Sequence, residues 1–347
     1  MIQVNISPFN NSFRLVNLTD TSVKKVRNNE EIRGTASISR YKEMKLLIGI
    51  DSSDSSNQVI DEAASMPLPQ GSEIMVISAL DFLDPLPVDL IEHVVAESER
   101  LVHHAVDKLR EAHPDATVTG SVPDGFAADE ILRTSQEWKP DLVMVGTRGR
   151  SGLTYLILGS VSRRILLEAC CAVRVVRKKE RAGNKEDNRV IIAMDDKDNA
   201  DKLVEHVLSS NWPVNTTFKC INVVPERPGP LLTHLGAEAM KSMKLHYDAM
   251  VAQRTSWLDA AEVKLNDRFG NKSAHAEMLR GDAKTELIEK AKEWEADLVI
   301  LGSHGRRGID KLILGSVSEA VAVHSMSSVE VVPQKQKVKE KKVHYIV

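Results

Sequence analysis

Cysteine is scarce in this 347-residue chain, occurring only as Cys170, Cys171 and Cys220. Two of these are adjacent, which disfavours a bridge between them, and no Cys-x2-Cys pair exists. Neither a disulfide framework nor a zinc site is therefore indicated, and buried thiols in a reducing compartment are the expectation. The chain also lacks a charge bias: 46 basic and 49 acidic residues leave a net charge of −3. That balance supplies no electrostatic footprint for nucleic acid. No stretch approaches the roughly 18 consecutive apolar residues of a membrane span. The N-terminus has no apolar core of the secretory type, and Asp20, Glu30 and Glu31 argue against a transit peptide. These absences lead to the expectation of a cytoplasmic protein with neither a membrane nor a nucleic-acid partner.

Two familiar phosphate signatures are missing as well. No G-x4-G-K-[ST] loop occurs, so P-loop hydrolysis is unsupported. No G-x-G-x-x-G follows the first strand, which disfavours a dinucleotide dehydrogenase. A third, the Ser-Gly-Gly-rich loop of pyrophosphatase-type synthetases, is absent after both Asp51 and Asp195.

What the chain does contain is one stretch written twice. Asp141-Leu-Val-Met-Val-Gly-Thr-Arg-Gly-Arg-Ser-Gly-Leu-Thr-Tyr-Leu-Ile-Leu-Gly-Ser-Val-Ser162 aligns without a gap to Asp297-Leu-Val-Ile-Leu-Gly-Ser-His-Gly-Arg-Arg-Gly-Ile-Asp-Lys-Leu-Ile-Leu-Gly-Ser-Val-Ser318, at an offset of 156. Such an offset exceeds any solenoid unit and marks a duplicated domain. Hydrophobic residues make up 42% of the chain, enough for two cores.

Each copy reads as strand, glycine-rich loop and helix. Leu142–Val145 and Leu298–Leu301 are apolar without alternation, as in strands buried on both faces of a parallel sheet. The loops supply Gly146, Gly149 and Gly152, and Gly302, Gly305 and Gly308; Gly159-Ser160 and Gly315-Ser316 then precede a helix. Glycines let backbone approach an anion, and a helix N-terminus presents unpaired N–H groups to it. The spacing in both copies is G-x2-G-x9-G-S. With this spacing the chain resembles the universal stress protein family, in its ATP-binding branch.

The resemblance spans about residues 44–180 and 188–335. It implies two tandem doubly wound α/β domains, each a five-stranded parallel sheet flanked by helices, with ATP in the crevice at the strand ends. Family members usually pair through their last strand, so two domains in one chain look like such a dimer made covalent, an intramolecular pseudo-dimer. Residues 1–43 are polar and aperiodic and read as a flexible extension. Domain one covers 44–180, a charged linker 181–188, domain two 189–335, and a basic tail 336–347. The first domain's strands are expected at 45–51, 73–80, 117–122, 142–145 and 171–176. Its helices are expected from Gln58, over 90–113, over 127–138, and after Gly159. The second domain repeats this plan, with strands near 189–195, 217–224, 274–279, 298–301 and 328–332.

Carried over by position, Asp51 and Asp195 at the ends of the first strands would face adenosine, accepting from a ribose hydroxyl or the adenine amino group. The competing reading is an ordinary helix N-cap. Asp196 adds a second negative charge in domain two. Gly125 and Gly281 each lie 21 residues before the motif's first glycine. Gly281-Asp282-Ala283 is similar to the family's Gly-Asp-Pro, which helps line the nucleotide pocket, whereas Gly125-Phe126-Ala127 loses the carboxylate. The motif glycines, together with Ser160, Val161, Ser162, Ser316, Val317 and Ser318, are expected to donate backbone and hydroxyl groups to phosphates. Arg148, Arg150, Arg306 and Arg307 could add charge to them. His304 reads as pocket-lining or exposed and not as a base, and His103-His104 as structural.

The resemblance thus implies an ATP-binding regulatory or stress-response module acting through an unidentified protein partner. The alternative is a slow ATPase in which Asp51, Asp195 and Asp196 hold Mg²⁺, although no residue stands out as the base. Further self-association is not decided by the sequence.

Overall fold

The computed structural model describes residues 43–80, 87–147, 158–178, 187–226, 237–303 and 314–333. The expected N-terminal extension, nearly all of the linker, the basic tail, and Arg148, Gly149, Arg150, Gly152, His304, Gly305, Arg306, Arg307 and Gly308 lie outside these residues. The chain divides into two compact units, the first holding β1–β5 and the second β6–β10.

In the first unit, β1 (Lys45–Gly49), β2 (Glu73–Ile77), β3 (Thr117–Ser121), β4 (Leu142–Gly146) and β5 (Ala172–Val176) form a parallel sheet in the order β3-β2-β1-β4-β5. Four helices connect them: α1 (Asp54–Ser65), α2 (Val88–Ala112), α3 (Ala127–Trp138) and α4 (Ser160–Glu168). The apolar runs bury β1, β4 and β5 on both faces, because α1 packs on α2 over one side and α3 on α4 over the other. Leu46, Ile48, Val59, Ile74, Val106, Leu109 and Met144 belong to one fully packed cluster.

The second unit repeats the order as β8-β7-β6-β9-β10. Its strands are β6 (Asn188–Ala193), β7 (Thr216–Val224), β8 (Ala274–Arg280), β9 (Leu298–Gly302) and β10 (Ser328–Val332), and its helices α5 (Lys197–Ser209), α6 (Ala237–Phe269), α7 (Ala283–Glu293) and α8 (Ser316–His324). The expected α/β architecture is therefore present twice.

Departures from the sequence-based expectations have local causes. Helix α1 starts at Asp54 and not at Gln58, since Ser53, Asp54, Ser55 and Ser56 form its cap and first turn. Ser53 takes the N-cap position in extended backbone without a side-chain cap bond, and its carbonyl accepts from the Ser56 N–H at 3.0 Å. Helix α7 starts at Ala283, because Asp282 caps it. Strand β2 ends at Ile77, and its partnership with β3 continues only as a single bridge between Leu80 and Asp124. The thiols are not all buried: Cys220 is, Cys171 is half-buried, and Cys170 is exposed. Among the described residues, no helix is long and apolar enough to cross a membrane.

Candidate functional site

Registers place the site. In the first unit Gly49 lies opposite Ile77 on one side and Val145 on the other, so Asp51 and Gly146 emerge side by side at the carboxyl edge. In the second, Ala193 sits opposite Ile221 and Leu301, bringing Asp195 and Gly302 together in the same way. Each pair marks the switch point of a doubly wound sheet, where the chain departs in opposite directions and leaves a crevice.

The twin motifs are built alike. The Gly159 N–H donates to the Thr147 carbonyl at 2.7 Å, and the Gly315 N–H to Ser303 at 2.7 Å, pinching shut the base of each loop. The Ser162 hydroxyl donates to the Gly146 carbonyl at 2.6 Å, and Ser318 to Gly302 at 2.6 Å. A serine hydroxyl has one proton, so these two serines tie helix to strand and direct no proton toward a ligand. Ser160 and Ser316 are exposed at the first helical positions. The N–H groups of residues 160–162 and 316–318 precede the helical ladder, and no described residue accepts from them. They form a small positive pole suited to an anion.

The Asp51 carboxylate is held, through Oδ1, by the Ser53 N–H at 3.0 Å and by the hydroxyls of Ser53 and of Ser56, the latter at 2.9 Å. The helix cap itself is Ser53, so Asp51 is not an N-cap and its Oδ2 receives no bond from a described residue. In the second unit the capping role falls to Asp196. Its Oδ1 accepts from the Asn199 N–H at 2.9 Å at the start of α5, so the extra carboxylate has a local use. The Asp195 N–H donates to Asn199 Oδ1 at 3.2 Å.

Gly125 and Gly281 adopt φ of +143° and +140°, which a side chain would strain, and turn the chain from β3 or β8 into the next helix. Asp282 caps α7 by accepting from the Thr285 N–H at 3.2 Å, which holds its carboxyl below the usual range. Phe126, at the matching place before α3, is exposed and makes no side-chain cap.

A cavity of about 150 Å³ opens at this edge of the second unit, lined by Asp195, Gly302, Gly315, Ser316, Val317 and Ser318 from the predicted set. Ala283, from the Gly281-Asp282-Ala283 segment expected at the pocket, also lines it, and Ala193, Met194, Asn199, Ile221, Val223, Leu287 and Leu301 complete it and were not anticipated. Asn199 has no motif to announce it. Behind the lining stand Asn222 and Arg254, also unanticipated, although Arg254 falls on the stripe of α6 that buries Tyr247, Leu258, Ala261 and Leu265. A cation at core spacing was the available signal.

The sequence pattern described as Universal stress protein family matches residues 44–177 and 188–333. A universal stress protein of Mycolicibacterium smegmatis is 24% identical over 305 residues, covering 84% of this chain and 97% of its own. One from Methanocaldococcus jannaschii is 30% identical over 141 residues, covering 39% of this chain and 82% of its own. The crystal structure of a universal stress protein from Archaeoglobus fulgidus superposes with a TM-score of 0.60 at 22% identity, covering 85% of this chain and 97% of that one.

Proposed function

Because the chain belongs to the universal stress protein family, with two family domains in tandem, we propose that it is an ATP-binding regulatory module of the stress response. The observation carrying this reading is the repeated N-terminus of α4 and α8. There, the N–H groups of residues 160–162 and 316–318, which donate to no described residue, lie at the same strand edge as Asp51 and Asp195. A polyphosphate would be held by those N–H groups, with Ser160 and Ser316 as hydroxyl donors. A ribose hydroxyl or adenine amino group would be held by the Asp51 or Asp195 carboxylate. Mg²⁺ is a candidate companion of the phosphates.

Binding alone suffices for regulation. A nucleotide at a thousandfold excess over its dissociation constant contributes about 4 kcal/mol to the state that binds it, enough to reverse a conformational equilibrium read by a protein partner. Pairing of the two domains within one chain belongs to the same proposal. Cleavage within residues 181–188 should leave the two halves co-eluting, and their separation would refute that part.

The test of the main reading is to denature freshly purified protein and quantify released nucleotide. Two ATP per chain is the expected result, and hydrolysis would then be slow at most. Release of ADP or AMP would favour the ATPase. No nucleotide, and none taken up from Mg-ATP, would overturn the proposal.

A further inference from the structure

Arg254 is 3% exposed, at the middle of α6. Its Nη1 donates to Asn222 Oδ1 at 3.0 Å and to the Val223 carbonyl at 3.1 Å. Asn222, itself 2% exposed, directs Nδ2 at the carbonyls of Met194, 2.5 Å away, and Asp195, 3.2 Å away. Met194, Asp195 and Val223 all line the cavity. The amide orientation is unambiguous, because a guanidinium only donates and must therefore meet the amide oxygen, which turns the amide nitrogen toward the two carbonyls.

Resting on the proposed nucleotide reading, we propose that Arg254 is a positioning residue that acts through Asn222 to fix the Met194–Asp195 turn for ligand binding in the second domain. Four backbone groups of that turn are satisfied. The Met194 N–H donates to Ile221 at 2.8 Å, the Asp195 N–H to Asn199, and both carbonyls accept from Asn222. With its peptide planes held, the Asp195 Cα–Cβ bond has a set direction, which lowers the cost of ordering the carboxylate against its ligand.

Among the described residues the first domain shows no such device. Asn222 follows Ile221 as Ser78 follows Ile77, the residues opposite Ala193 and Gly49. Counting back equally from Glu277 and Ser121, which face Ile221 and Ile77, reaches Arg254 and Ser98. Both serines are buried, yet among the described residues no side chain donates to the carbonyls of Ile50 or Asp51.

The test uses equilibrium dialysis of radiolabelled Mg-ATP against the full chain, alone and with Gly146→Val to disable the first site. Arg254→Met should weaken the second site roughly tenfold, the worth of about one buried hydrogen bond, and leave the first unchanged. Arg254→Lys, keeping the charge and one donor, should recover part of this. Asn222→Asp keeps the side chain's shape and gives Arg254 a carboxylate, but removes the amide donor and leaves the Met194 and Asp195 carbonyls unmatched, so it should weaken binding as Arg254→Met does, and the melting temperatures of both variants separate positioning from folding. Unchanged binding in Arg254→Met and Asn222→Asp, with two ATP on the parent, would overturn the inference alone. So would losses of affinity that merely follow melting temperature. A parent whose binding vanishes with Gly146→Val has no working second site, which removes both this inference and the nucleotide reading for that domain.

Discussion

In the first domain serines hold the turn beyond the leading strand, with Ser53 and Ser56 closing on the Asp51 carboxylate itself. In the second, amides and a cation hold the equivalent turn by its backbone, with Asn199 and Asn222 taking the peptide groups of residues 194 and 195. The two cradles at α4 and α8 are nevertheless built alike, down to the 2.6 Å bond from Ser162 or Ser318 to the strand end. The copies thus keep the backbone that would receive phosphate and differ in the side chains that would receive the nucleoside. Backbone donors depend on fold alone, and the carboxylate end is free to diverge.

The largest expected effect tests whether the cradles are equivalent. A Cβ on Gly146 would lie 2.5 Å from Ser55 Oγ and 2.8 Å from Ser55 Cβ. Gly146→Val should therefore displace α1 at about 1–3 kcal/mol and remove one of the two nucleotides per chain. Gly302→Val, at the matching strand end, should remove the other. Nucleotide counts after denaturation check both, and a count unaffected by either would separate the motif from binding.

A second contrast lies in the polar pairs between helix and strand. Arg174 on β5 meets Glu62 on α1 at 3.1 Å, while Glu330 on β10 meets His206 on α5, so the carboxylate sits on the helix in one unit and on the strand in the other. Arg174→Met leaves a largely buried carboxylate behind and should cost about 3 kcal/mol. Glu330→Gln keeps an acceptor for the imidazole and should cost less than about 1.5 kcal/mol. Denaturant titration with thiol labelling resolves which unit opens. Burial first of all pushes the thiols of Cys171 and Cys220 up to about 12, so each labels faster at neutral pH once its own unit unfolds, above the native-state labelling of the exposed Cys170. Equal losses for the two substitutions would show the pairs to be interchangeable.

Much of this was legible in the sequence because it is local or repeated. Apolar runs at 142–145 and 298–301, and the spacing of Gly146, Gly159, Gly302 and Gly315, fix strands, loops and helix starts within a few residues of one another. What escaped is long-range. Arg254 meets Asn222 across 32 positions and Glu62 meets Arg174 across 112, and no periodicity reports which buried polar groups find each other. The direction of the Ser162 proton escaped for the same reason: the motif gives the hydroxyl, while the carbonyl that accepts from it belongs to a strand sixteen residues earlier. The N-cap reading offered for Asp51 and Asp195 belongs instead to their neighbours Ser53 and Asp196, since these residue types are all chemically competent and only the backbone selects between them.

The smallest effect concerns the rim, where Asp282 and Phe126 occupy matching positions. The Asp282 carboxyl is lowered first by the Thr285 N–H that donates to it, so its folded-state value lies below its unfolded one. The stability it adds to α7 is therefore complete above the ordinary carboxylate range, near 4, and is lost as pH falls through the lowered folded value. Helix α3, begun by Phe126 without a side-chain cap, has no corresponding loss. Hydrogen exchange in the first turns of the two helices should therefore diverge on acidification, with α7 losing protection while α3 keeps its own. Asp282→Ala should abolish that divergence, and Phe126→Asp should bring acid-sensitive protection to α3. If α7 and α3 respond identically in the parent, the cap does not control the rim, and the difference between the two sites must lie deeper, in the turns at Asp51 and Asp195.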